Sequence, residues 1–186
     1  MIKQLFQQRL ELYKNATVIN ELIDYANKLG ATIQKTKGLK KVFICGNGGS
    51  SSQASHLAAE LMVRYKRKRN DYFALALTGD TSVITAISND YNFDDIFAMQ
   101  LENMANNGDI LIALSTSGNS KNVNNALKKA LELNMQTFAL LGKTGGQAKS
   151  LANESLVVPS DDTAIIQEIH LMIIHLLCEY LENFEQ

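Results

Sequence analysis

Three groups of residues in this chain have the types and spacing to do chemistry. Ser115-Thr116-Ser117-Gly118-Asn119-Ser120 gathers four hydroxyls, a flexible glycine and the start of a helix within six positions. Free helix-start amides and the positive end of a helix dipole favour an anion, and hydroxyls donate to its oxygens. The segment is therefore expected to bind a phosphate monoester, beyond the ordinary use of serine and threonine as caps. Gly46-Asn47-Gly48-Gly49-Ser50-Ser51-Ser52 is a second such loop. Gly46 and Gly48 fit the dinucleotide fingerprint, but Ser51 replaces its third glycine, and the acidic residue expected about 20 positions on falls in a basic run, so a nucleotide cofactor is set aside. Its glycines are read instead as letting backbone amides approach a sugar or its phosphate. Gly142-Lys143-Thr144 imitates the end of a Walker A loop, but Thr137 stands where the leading glycine belongs, and the segment reads as a turn.

The third group lies on helices. His56 and Glu60, four apart, project from one face as two metal ligands, or as a ligand and a base. Alone the pair decides nothing, because such pairs are more often surface interactions. The final helix carries Gln167, Glu168, His170 and His175 among Ile165, Ile166, Ile169, Ile173, Ile174 and Leu177. A helix apolar on most faces is buried, and polar groups on it need partners, from core hydrogen bonds or from a site. Gln167 and His175 are about 12 Å apart along the helix axis, too far to reach one ion from one straight helix. Either one of them is not a ligand, or a neighbouring subunit completes the site. The apolar first and last helices offer surfaces for such an oligomer.

Positioning these groups requires a sheet. Residues 1–36 show helical spacing interrupted near Asn15, which predicts two helices or one bent one. Strands are expected at 40–45, 72–77, 109–114, 136–141 and 155–159, and helices near 54–62, 81–88, 119–133 and 164–184, the last capped by Ser160-Asp161-Asp162-Thr163. Short apolar strands alternating with helices predict an α/β fold: a three-layer sandwich with a mostly parallel five-stranded sheet flanked by helices, flavodoxin-like, with an N-terminal helical extension. A single domain over 1–186 is expected, with 1–36 helical and 37–186 the α/β core. Ligands of such sheets bind beyond the carboxyl ends of the strands, here after 42–45, 73–77 and 110–114.

Composition limits the alternatives. At 186 residues, 46% apolar and 20% charged with a formal net charge of -1, the chain is an ordinary globular sequence with nothing drawing it to nucleic acid. The basic run Arg64 to Arg69 reads as a solvated helix end and loop, with a phosphate-steering patch as the other reading. Cys45 and Cys178 fit no zinc-finger or CxxC spacing and are read as packed thiols. No signal peptide and no long apolar run stands out, so the expected setting is the reducing cytoplasm, away from membranes.

Gly46-Asn47-Gly48-Gly49-Ser50, His56-Leu57-Ala58-Ala59-Glu60-Leu61, Ala86-Ile87-Ser88-Asn89-Asp90-Tyr91, the Ser115–Ser120 loop and Ile166-Gln167-Glu168-Ile169-His170 with His175 closely resemble bacterial phosphoheptose isomerases of the sugar isomerase (SIS) superfamily. The likeness runs nearly the whole chain, with the motifs in order and at the right spacing. It implies interconversion of sedoheptulose 7-phosphate and D-glycero-D-manno-heptose 7-phosphate, the first step towards heptose of lipopolysaccharide or capsule, by a homotetramer with active sites between subunits. It implies zinc, one per subunit, on His56, Glu60, Gln167 and His175. Ser115, Thr116, Ser117 and Ser120 would hold phosphate, and Asn47, Gly48, Gly49, Asn89 and Asp90 would line the sugar site. Proton transfer through an enediol needs a base and oxyanion stabilisation. Glu60 is the candidate base and His175 the acid or shuttle, although a carboxylate bound to metal is a poorer base. One departure is Ile165, where many members carry arginine, which touches a peripheral contact. The rival readings are a non-catalytic relative, the replication-initiator-associating protein, and an SIS protein for another sugar phosphate. The former lacks the matching histidine and has an altered serine loop, whereas this chain keeps both.

Overall fold

The computed structural model describes residues 2–68 and 71–183. Five strands, β1 (Lys41–Gly46), β2 (Phe73–Ala76), β3 (Ile110–Ser115), β4 (Gln136–Gly142) and β5 (Glu154–Val158), pair in the order β2-β1-β3-β4-β5. Every pairing is parallel, so the expected mostly parallel sheet is wholly so among the described residues. Registers such as Ile44↔Ile112 and Leu114↔Leu140 bring the carboxyl ends of β1, β3 and β4 to one edge.

Side-chain alternation along the strands divides the interior in two. Val42, Ile44, Ile110, Ile112, Leu114, Phe138 and Leu140 face one layer of helices and Phe43, Cys45, Leu111, Ala113, Ala139 and Leu141 the other. The first layer holds α2 (Ala16–Lys35), α3 (Gly49–Met62) and α8 (Thr163–Asn183), preceded in the chain by α1 (Ile2–Lys14). The second holds α4 (Thr81–Asp90), α5 (Ala98–Met104), α6 (Lys121–Glu132) and α7 (Ala148–Leu151). With both faces covered, the central strands are apolar at nearly every position, which gives them their continuous hydrophobic runs. Burial pushes the Cys45 thiol up to about 12, leaving it an inert packed side chain, and Cys178 is likewise buried.

The N-terminal region is two helices rather than one bent one. Asn15 ends the first and caps the second, its side chain accepting from the Thr17 and Val18 amides at 3.1 and 3.3 Å. α1 buries none of its residues, while α2 buries Val18, Leu22, Tyr25, Leu29 and Ile33 against the sheet layer, so α2 is part of the core.

Three elements go beyond the expected list: the 3-10 turn Phe93–Asp95, α5 and α7. They are three, seven and four residues long, too short to show a helical period, and tertiary packing of Ala98, Leu101 and Ala148 holds the two helices. A long apolar run does exist. α8 has the length and composition to cross a membrane, with mean hydropathy 1.4, but Ile166, Ile169, Ile173, Ile174, Leu177 and Leu181 fill the first core layer. The expected end of that helix at Phe184, and the last residue of the basic run, Arg69, lie outside the described residues.

Candidate active site

The strand order reverses direction between β1 and β3, so the loops leaving these adjacent strands diverge to opposite faces and leave a crevice at the carboxyl edge. The glycine loop and the serine loop occupy that crevice.

In the serine loop, Ser115 is buried and its Oγ accepts the Gly118 amide at 3.0 Å, with Ser120 Oγ 3.5 Å away. Ser117 Oγ accepts the Asn119 amide at 3.1 Å. Ser120 occupies the N-cap of α6 but its side chain makes no capping bond, in contrast to Asn15 and Asp80, which cap α2 and α4. The start of α6 therefore has no serine oxygen over its amides, one of which, that of Val123, donates to Asn122 Oδ1 at 2.9 Å, and it carries the Ser120 hydroxyl at its N-cap. That arrangement suits an anion. Gly118, at φ +65°, bends the loop so tightly against Gly145 and Gly146 of the β4–α7 turn that a Cβ would collide with the Gly145 carbonyl. This turn is what the Walker-like Gly142-Lys143-Thr144 segment forms.

Across the crevice, Gly48 (φ +55°) opens α3 without a side-chain cap and faces open space, so an approaching ligand meets backbone. Asn47 is locked by Asn122 in the first turn of α6: Asn47 Nδ2 donates to Asn122 Oδ1 at 2.8 Å, and Asn122 Nδ2 donates to Asn47 Oδ1 at 2.9 Å. The two loops thus form one unit. Asn89 and Asp90 are exposed at the end of α4, bonded to each other at 2.7 Å, just before the turn whose Asp94 pairs with Lys121 at 3.5 Å.

The helix residues meet between α3 and α8, which run in the same direction. His56 Nε2 lies 3.1 Å from His175 Nε2, with the rings edge to face, and 3.7 Å from Glu60 Oε1. Gln167 sits two turns back. Its side-chain amide lies against Gly49, where a Cβ would come within 2.6 Å of Nε2, and its main-chain carbonyl accepts from Gln53 Nε2 at 2.6 Å. Gly49 and His56 are about 10 Å apart along α3, so one chain joins His56, Glu60 and His175 but leaves Gln167 at a separate point. His170 is absent from the crevice. It is fully buried, bonded through Nε2 to the Leu141 carbonyl at 3.1 Å, and burial pushes its imidazole down to about 4, so it is a neutral core histidine.

The SIS domain family model matches residues 16–142. A phosphoheptose isomerase from Helicobacter pylori is 45% identical over 181 residues, covering 97% of this chain and 93% of its own. One from Campylobacter jejuni is also 45% identical, over 98% of this chain and 97% of its own. The chain belongs to the phosphoheptose isomerase family.

Solved phosphoheptose isomerases share its architecture. The structure from Francisella tularensis superposes with a TM-score of 0.90 at 34% identity, over 98% of this chain and 96% of that one. That from Neisseria gonorrhoeae gives 0.85 at 35%, over 98% and 97%. Among SIS folds of lower identity, the sugar isomerase domain of an RpiR transcription factor from Sphaerobacter thermophilus (TM-score 0.65, 18% identity) is alike in fold alone.

Whether these residues fit a zinc ion turns on the donor set. Tetrahedral zinc with Zn–N near 2.0–2.1 Å places its donors about 3.3 Å apart, and the 3.1 and 3.7 Å separations around His56 Nε2 bracket that spacing. Two imidazoles and a carboxylate are also ligands zinc takes. Among the described residues of one chain, however, no group of three or more His, Cys, Asp or Glu closes into a metal site. The donors around His56 fit in kind and spacing, and the set is incomplete within this chain.

Asn122 was absent from the sequence-derived site. Its only signal was an asparagine at the second helical position after a phosphate-type loop, and nothing local says that its partner lies 75 positions away.

Proposed function

We propose that this chain is an aldose–ketose isomerase that interconverts sedoheptulose 7-phosphate and D-glycero-D-manno-heptose 7-phosphate, supplying heptose for a surface glycan. The observation that carries the reading is the single crevice in which an uncapped, hydroxyl-lined start of α6 is locked by Asn47–Asn122 to the glycine loop that opens α3, the helix bearing His56 and Glu60. The phosphoheptose isomerase relatives supply the substrate class.

In this reading Ser115, Thr116, Ser117 and Ser120 with the α6 amides hold the phosphate, while Asn47, Gly48 and Gly49, with Asn89 and Asp90, line the open-chain sugar. Glu60 removes a proton from C1 of the ketose, the C2 oxygen gains a proton as the enediol forms, and the proton held by Glu60 returns to C2 as O1 becomes the aldehyde oxygen. His175 moves the proton between O1 and O2. Zinc, one per subunit, would be held by His56 and His175, with Gln167 of a neighbouring subunit, and by Glu60 only while that carboxylate is not serving as the base. When bound, it polarises the sugar oxygens. The family resemblance further implies a homotetramer with active sites between subunits, and we read the protein as working in the cytoplasm.

The test is turnover of sedoheptulose 7-phosphate by the purified protein, with and without a chelator, beside His175→Ala. Turnover that is lost in the variant and on chelation supports the zinc isomerase. Turnover that survives chelation leaves Glu60 and His175 as the acid–base pair without the ion. No turnover even with added zinc overturns the reading in favour of a binding protein or another sugar phosphate.

A further inference from the structure

The basic run after α3 has a place in the molecule that neither the phosphate loop nor the sugar site uses. Arg64 and Lys68 form an isolated antiparallel bridge, closing a short turn that lies along the second half of α8. The backbone amides of Lys66 and Arg67 both donate to Glu182 Oε1, each at 2.9 Å, and Glu182 is only 4% exposed. The Lys66 ammonium pairs with Glu179. The run is a clasp on α8, and its first aromatic residue is carried with it. Tyr65 donates its hydroxyl to Glu179 Oε1 at 3.0 Å and lays its ring on the His175 imidazole, centroids 6.3 Å apart and planes 29° from parallel. His56 meets the same imidazole edge-on, at 5.3 Å and 78°. Histidine is thus bracketed by one ring stacked and one ring perpendicular.

We propose that Tyr65 is a positioning residue, fixed by Glu179, that sets the plane of the His175 imidazole so that its Nε2 faces His56. The inference rests on the reading of His56 and His175 as active-site partners. The physical need is specific. The outer torsion of histidine is broad and roughly two-fold, so a half-exposed imidazole left to itself samples several orientations. Site groups must be held within about 0.5 Å and 10–20° to work, and neighbours that orient a ligand matter to affinity almost as much as the ligand. An offset aromatic stack supplies such a restraint. The hydroxyl bond then stops the tyrosine from sliding along the histidine. Lys66 beside Glu179 keeps that carboxylate ionised, its titration held below the ordinary range first by the lysine hydrogen bond.

The experiment compares Tyr65→Leu, which removes the ring, with Tyr65→Phe, which keeps the stack and loses the Glu179 bond. Three quantities are read: the His175 ring resonances in the metal-free protein, with their cross-relaxation to the residue 65 ring; the dissociation constant for zinc ion alone, by competition with a chromophoric chelator; and kcat and KM for sedoheptulose 7-phosphate. Tyr65→Leu is expected to shift and broaden the His175 signals, to weaken zinc binding at least about tenfold and to lower kcat by a similar factor. KM should change less than about twofold, since the phosphate loop is untouched. Tyr65→Phe should restore most of each. Glu179→Ala removes the same hydroxyl bond from the other side and, like Tyr65→Phe, should leave most of each quantity in place. Unaltered His175 resonances and zinc affinity in Tyr65→Leu, whatever happens to Tm or turnover, would overturn the proposal and leave Tyr65 as packing. If the wild-type protein neither binds zinc nor turns over the sugar, the functional reading fails while the resonance comparison still decides the role of Tyr65.

Discussion

Asn47 and Asn122 exchange two amide hydrogen bonds, 2.8 and 2.9 Å long, across the mouth of the crevice between β1 and β3. Each amide uses both its donor and its acceptor on the other, so the pair fixes the glycine loop relative to the start of α6. Asn122→Leu leaves Asn47 facing an apolar group in a part-buried setting that water reaches, where an unpaired amide costs at most about 1 kcal/mol. The expected result is a matching loss in unfolding free energy and at least a tenfold loss in kcat/KM, about 1.4 kcal/mol. Unchanged kinetics in a folded variant would show that the two loops need no such link.

Gly118 contributes by having no side chain. Its φ of +65° and its contact with the Gly145 carbonyl leave a Cβ nowhere to go, because the obstruction is backbone. Gly118→Ala is expected to push the serine loop away from the β4–α7 turn, raising KM for the sugar phosphate by about tenfold or more while kcat falls less. A steady-state comparison with wild type measures the split, and an unchanged KM would remove the loop from phosphate binding.

Gly49→Ala tests Gln167. The added methyl meets the tip of the Gln167 amide, which can swing aside, so the stability change should stay below about 1 kcal/mol. Displacing that amide should still lower zinc affinity and turnover at least about tenfold if Gln167 belongs to the site. Full zinc affinity in a variant whose Gln167 has moved would exclude it as a ligand.

His170 gives a pH dependence of stability with a definite sign. Its folded value, pushed down to about 4 by burial, lies below the 6.5 of an unfolded histidine. Between these values the unfolded chain binds a proton that the folded chain refuses, so the contribution is complete above pH 6.5 and is lost as pH falls towards 4. At pH 5 the loss should be about 2 kcal/mol. His170→Gln keeps a donor for the Leu141 carbonyl without titrating. Urea unfolding at pH 7.5 and 5.0 should therefore show a smaller pH difference in the variant than in wild type, and equal differences would contradict the buried neutral histidine.

Much of this protein was written locally. The runs Val42 to Cys45 and Ile110 to Leu114 alternate with amphipathic helices at spacings that allow little besides a covered parallel sheet, and Asn15 and Asp80 mark helix starts by their own side chains. The serine and glycine loops were legible for the same reason: the residues that make an uncapped helix start able to hold an anion are consecutive in the chain. The His56–Glu60 pair was visible as one turn of α3. What remained undecided was every relation between elements distant in the chain. The pairing of His56 with His175 across 119 positions, of Asn47 with Asn122 across 75, and of Tyr65 and Lys66 with Glu179 depends on α3, α6 and α8 being laid on particular strands in particular registers. A period identifies a helix and its apolar face, but packing alone sets which of its turns meets which neighbour. For that reason Gln167 and His175, equal candidates by sequence, were separated only when α8 was laid beside α3, one against Gly49 and the other against His56.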